Sequence, residues 1–198
     1  MVDIRRIGIT DTGYPTLLRQ IYDPPRRLYL QGALPEFNQC TLAVAGGSRA
    51  TPESRTAARA LGRYAAENGV LLVTDGMSVH AREASAGARV VGGLQLVVQP
   101  GPPETAETAE GMSLLWELPA RRDLGFLRII AGLSCVVCLV DAPWSLRVRT
   151  LTECALEEGR DVVVHSAGKG RRGSKTLADA GAEVLSSSQR LSELLAAW

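Results

Sequence analysis

Lysine and histidine are nearly absent from this chain. Its 198 residues carry lysine only at Lys169 and Lys175 and histidine only at His80 and His165, so almost all positive charge is arginine. A GC-rich coding bias accounts for that skew, although arginine is also the side chain that grips phosphate bidentately and stacks on bases. With two histidines and no activated nucleophile at matching spacing, a hydrolytic triad has no support, and the chain is expected to be no enzyme. An excess of either charge is missing too. The 22 basic and 21 acidic side chains leave a net charge of +1, which excludes a uniform basic coat for nucleic acid but leaves room for a local basic patch.

Long apolar runs are lacking. The most apolar stretch, residues 129–140, is shorter than the ~18 residues a membrane span needs. No apolar stretch follows the opening Met1-Val-Asp-Ile-Arg-Arg, as a signal peptide requires. Cysteine is sparse: Cys40, Cys135, Cys138 and Cys154. Cys135 and Cys138 have metal or redox spacing, but Ser134-Cys-Val-Val-Cys-Leu-Val reads as a buried strand. Residues three apart on a strand point to opposite faces, so inert buried thiols are expected. These features fit a bacterial cytoplasm, with no membrane, metal or cofactor called for.

What is present is an alternation of strand and helix. Strands are expected at residues 41–45, 70–74, 94–99, 114–117, 135–140 and 161–165, and helices at 51–68, 78–90, 123–133 and 147–158. Thr51 and Pro52 open the first of these helices and Asn68-Gly69 closes it. Residues 166–173 read as a glycine- and arginine-rich loop, followed by closing helices around a small strand at Glu183. Residues 1–38 read as an N-terminal extension packed on the main body, with a short helix stopped at Asp23 and a strand from Arg27. Residues 39–198 read as an α/β domain: a Rossmann-like three-layer fold with a mostly parallel sheet.

Ligands of such sheets bind at the carboxyl ends of the strands. There, Gly46-Gly-Ser-Arg49 precedes a capped helix, so backbone amides and the Arg49 guanidinium could hold a phosphate. The segment also suits a tight turn with a surface arginine, and it is neither a dinucleotide fingerprint nor a Walker loop. Asp75-Gly76 follows the next strand, where Asp75 could meet a ribose or a metal, or cap the next helix. His80, without a ligand partner at metal spacing, reads as a surface helix residue. After the fifth parallel strand, Trp144, Arg147 and Arg149 offer planes for stacking on bases, Trp144 suiting the core or an interface equally. Lys169, Arg171, Arg172 and Lys175 give the densest positive charge in the chain, on glycines that read as a mobile loop.

The chain resembles the DNA-processing protein A family over nearly its whole length. Tyr14-Pro-Thr-Leu-Leu, Ile21-Tyr-Asp-Pro-Pro and Leu28-Tyr-Leu-Gln-Gly look like its opening segment. Gly47-Ser-Arg, Glu117-Leu-Pro, Arg128-Ile-Ile-Ala-Gly-Leu-Ser, Ala155-Leu-Glu-Glu-Gly-Arg160 and Gly173-Ser-Lys-Thr-Leu-Ala-Asp-Ala-Gly-Ala182 match later motifs. The resemblance implies a protein that binds single-stranded DNA, hands it to the RecA recombinase during transformation, and pairs as a homodimer. It implies that Arg49 and Arg128 contact DNA and that Lys175 lies in a DNA-binding turn. Gly46, Gly47, Ser48, Gly76, Arg121, Arg122, Lys169, Arg171 and Arg172 complete the phosphate-binding candidates. The sequence also departs from the family. Ser-Gly-x-Ala-x-Gly-Ile-Asp becomes Thr74-Asp-Gly-Met-Ser-Val-His-Ala, Arg-Asn becomes Phe126-Leu127, and the Ser-Gly-Ser/Thr turn becomes Leu146-Arg-Val148. Two other readings stay open: a nucleotide-binding or nucleotide-processing Rossmann-like domain, and a scaffold that has lost its ligand.

Overall fold

Valine and leucine runs without polar alternation need cover on both faces. The computed structural model, which describes residues 4–33, 35, 40–103, 108–120, 124–168 and 170–198, meets that need with a nine-stranded sheet. Seven strands run parallel: β3 (Thr41–Gly46), β4 (Leu71–Thr74), β5 (Gln95–Val98), β6 (Met112–Glu117), β7 (Val136–Val140), β8 (Asp161–His165) and β9 (Glu183–Leu185). The segment before residue 39 joins the same sheet. Its β2 (Arg27–Gln31) pairs antiparallel with β6, and β1 (Ile4–Gly8) pairs antiparallel with β2. Across the sheet the order is β1-β2-β6-β5-β4-β3-β7-β8-β9.

From β3 the chain winds one way to β6, then returns to lay β7 on the other side of β3. The ends of β3 and β7 therefore flank a topological switch point, where an open α/β sheet leaves a crevice. In register, Gly46 lies beside Val140.

Helices α2 (Pro52–Glu67), α3 (Val79–Val90) and α7 (Ser188–Ala196) cover one face, and α1 (Thr16–Arg19), α4 (Leu127–Leu133), α5 (Leu146–Glu157) and α6 (Arg172–Asp179) the other. Thr51 caps α2 by accepting from the Ser54 amide at 3.1 Å, and Ser54 Oγ accepts from the Thr51 amide at 2.9 Å. Helices α2 and α3 touch through small residues. A side chain at Gly62 would strike the Ala84 carbonyl, and one at Gly87 the Arg59 carbonyl. That near approach fixes where α3 begins, and so where the β4–α3 turn sits.

The N-terminal segment is tied down by burial and charge. Leu18, Leu28 and Leu30 are fully buried, and the Tyr14 hydroxyl donates to the Pro25 carbonyl at 2.7 Å. Arg128 at the start of α4 forks onto Glu117 at 2.6 and 2.7 Å and reaches Asp23 at 3.3 Å. Burial opposes that charge, but Glu117 and Asp23 outweigh it and hold the guanidinium above its ordinary value.

Several local expectations are corrected. The expected helix at 123–133 is a 3₁₀ turn, Leu124–Phe126, leading into α4. The strand holding Cys138 begins at Val136, so the alternation rule does not reach Cys135. Both cysteines sit in one core cluster and not on opposite faces. Burial pushes the Cys138 thiol up to about 12. The glycine- and arginine-rich segment is not loop throughout, because α6 starts at Arg172. Gly173 serves close packing there: a side chain would meet the Ala142 carbonyl at 2.6 Å.

Candidate nucleic-acid interface

The site is built around two strand ends. Gly46 ends β3 where a side chain would collide with the His80 ring and the Val140 carbonyl, and Gly47 lies where one would meet Pro143 at 2.8 Å. Asp141 ends β7 with φ of 47°, in the left-handed region that costs a non-glycine residue energy. Ser54 and Arg171 hold it there. Ser54 Oγ lies 3.2 Å from Asp141 Oδ2, and Arg171 donates to Oδ1 at 2.9 Å and to Oδ2 at 3.4 Å.

His80 is fully buried beneath the Gly46 turn, which corrects its reading as a surface residue. Its Nε2 lies 3.1 Å from Ser54 Oγ. Ser54 has one proton, shared between Asp141 and the Thr51 carbonyl at 3.1 Å. Ser54 Oγ thus links the His80 ring to the Asp141 carboxylate. Burial pushes His80 below its ordinary value while Asp141 acts in the opposite direction. A backbone hydrogen bond with Gly47 acts in the same direction as Asp141.

The first turn of α2 contributes fewer free amides than the sequence suggests. Pro52 has none, and the amides of Thr51 and Ser54 are consumed by the reciprocal cap. In the turn itself Ser48 and Arg49 are exposed, and Arg49 has no ion pair among the described residues. Gly76 turns the chain after β4 with φ of +64°, where a side chain would also meet Val97. Asp75 Oδ1 accepts from the amides of Met77 and Ser78 at 2.8 and 3.1 Å, and Ser78, not Asp75, caps α3. Asp75 Oδ2 takes Arg147 at 2.6 Å. Two departures from the family's pattern, 72 residues apart in the chain, thus meet as one ion pair.

Arg172 and Lys175 are exposed on the first turn of α6, whose Ser174 is locked to Ala142 at 3.0 and 3.1 Å. Trp144 is exposed, with the Arg149 guanidinium 5.8 Å from its ring centre. The structure therefore gathers Gly46, Gly47, Ser48, Arg49, Gly76, Arg171, Arg172 and Lys175 on the carboxyl edge of the sheet. Arg128 is engaged by Glu117 and Asp23. Arg121, Arg122 and Lys169 lie outside the described residues. Ser54 and the acceptor role of Asp141 were missed by sequence reasoning; the Thr51-Pro-Glu-Ser54 cap was the available signal for Ser54.

A family model described as DNA recombination-mediator protein A matches residues 5–93. The match covers less than half of the chain. The matched stretch includes the Gly46 turn, Asp75 and His80. No curated protein matches the chain. Among solved structures, DNA processing protein A from Streptococcus pneumoniae superposes with a TM-score of 0.80 at 24% identity, over 94% of this chain and 72% of that one. DNA processing protein A from Helicobacter pylori, whose structure is described as showing a single-stranded DNA binding mode, gives 0.76 at 20% identity, over 91% and 89%. A molybdenum cofactor carrier protein from Chlamydomonas reinhardtii gives 0.61 at 24% identity, over 80% and 99%. The mostly parallel Rossmann-like sheet is thus common to all three.

Proposed function

We propose that this protein binds single-stranded DNA without strong sequence preference and acts as a recombination mediator, not as an enzyme. The observation that carries this reading is the gathering of Arg49, Arg172 and Lys175, none of them in an ion pair among the described residues, around the glycine turn at the switch point. Three exposed cations beside a small-residue turn suit a flexible phosphate backbone better than a compact ligand, because each can take a separate phosphate. The family match over residues 5–93 and the likeness to the Helicobacter pylori protein support the same choice. Delivery of the strand to the RecA recombinase, pairing as a homodimer and residence in the cytoplasm complete the proposal. No described helix is long and apolar enough to cross a membrane.

Fluorescence anisotropy with labelled oligo-dT at low salt tests the reading. The expected result is saturable binding that weakens with salt and is not displaced by mononucleotides. Displacement by a mononucleotide at stoichiometric levels would favour a nucleotide site, and no binding would favour a scaffold.

A further inference from the structure

Two arginines at the carboxyl edge already carry a carboxylate, and the Asp75–Arg147 pair is the tighter. Arg147 Nη2 and Nε reach the same oxygen, Asp75 Oδ2, at 2.6 and 3.0 Å. The other oxygen, Oδ1, is tied to the Met77 and Ser78 amides. Asp75 is therefore held in place by backbone and cannot swing away when an anion arrives. Its side chain is 4% exposed, whereas Arg147 is 25% exposed. The guanidinium is supported on its flat side by Phe126, 5.1 Å from the ring centre. It stands in the first turn of α5, on the loop that leaves the switch point after β7. A guanidinium fixed in this way and still open to solvent is oriented to take a phosphodiester oxygen.

We infer that Arg147 is a phosphate-binding residue of the DNA site and that Asp75 is its resident competitor, setting the affinity for single-stranded DNA. The inference rests on the DNA reading above. With Asp75 in place, the pair is nearly neutral and releases few counterions when a phosphate approaches. The strand shares Arg147 with a carboxylate that also repels it. Without the Asp75 charge, Arg147 becomes a full phosphate contact.

Asp75→Asn isolates the charge, because the asparagine oxygen still accepts from the Met77 and Ser78 amides. Binding of labelled dT30 is measured across a salt series for wild type, D75N, R147M and the double variant. D75N is expected to bind roughly tenfold tighter at low salt, with the log affinity–log salt slope steeper by about 0.7, one added contact on a single strand. R147M should bind more weakly than wild type, since it leaves Asp75 unpaired, and the double variant should return towards wild type. A folded D75N that binds no tighter, or a double variant as tight as D75N, overturns the inference. Should D75N fail to fold by circular dichroism, R147M decides: weaker binding supports the inference and unchanged binding overturns it. Wild-type binding with an unaltered D75N refutes the inference alone. Absence of binding by every protein refutes the DNA reading and the inference with it.

Discussion

Removing Arg128 should destabilise the fold far more than it changes the DNA site. The guanidinium and the Glu117 carboxylate are only 11% and 9% exposed. Arg128 also donates to the Asp23 and Gly125 carbonyls at 2.9 Å each. Arg128→Met keeps the apolar stem and deletes the charge that faces the buried Glu117 carboxylate. Taking one partner from a buried pair costs about 3–5 kcal/mol. Glu117 sits at the sheet edge with a little water access, so the lower figure applies, about 3 kcal/mol. For a chain of this size each kcal/mol moves Tm by roughly 2–4 °C, so a fall of about 6–12 °C is expected. Urea titration followed by circular dichroism measures it directly. Replacing both residues, E117L with R128M, should recover much of the loss, because two apolar side chains leave no buried charge. A loss below about 1 kcal/mol for R128M, the range of an exposed pair, would refute the reasoning. In the temperature range where R128M stays folded, its oligo-dT affinity should match wild type.

Three further outcomes follow from the site. Arg49→Ala, or Arg172→Ala with Lys175→Ala, should weaken oligo-dT binding for all sequences alike and flatten the salt slope by about 0.7 per lost contact, with the circular dichroism spectrum unchanged. Gly46→Ala should cost about 1–3 kcal/mol in urea titrations, because the methyl group must displace the His80 ring or the Val140 carbonyl. His80 sets a pH dependence: its folded value lies below the ordinary 6.5, so the neutral ring favours the fold. That stability is full above pH 6.5 and is lost as the pH falls below it towards the folded value. His80→Gln should flatten the fall in Tm between pH 7 and pH 5, though His165, lowered by its own burial, leaves a residue of it.

Much of the fold could be read from local pattern. Residues 41–46 and 71–74 are buried on both faces, as their unbroken apolar runs require. The Thr51 cap and the Asn68-Gly69 stop gave α2 its ends to within a residue. By contrast, β1 carries exposed Arg5 and Arg6 on a sheet edge and shows no strand pattern. His80 could not be placed because the space it fills is made by a glycine in another segment, at Gly46. The glycines around Arg171 looked like freedom, yet a side chain at Gly173 would meet the Pro143 backbone at 2.6 Å. For the site, glycine and arginine types were legible. Which arginines are free was not, since that depends on carboxylates 72 and 30 residues away.

The switch point also dictates when the crevice can exist during synthesis. Strands β3 to β6 can pair in the order in which they leave the ribosome, each beside the one before it. β7 cannot: the Thr41 hydroxyl waits for the Leu133 carbonyl, 92 residues later. Contacts of that span are slow to form, because the entropy of closing the loop comes before any reward. Until then the inner edge of β3 is an open row of backbone donors and acceptors on a valine- and alanine-rich strand, a template for unwanted pairing. A nascent chain stalled before residue 136 should therefore be protease-sensitive and prone to associate, and one extended past β8 should be neither.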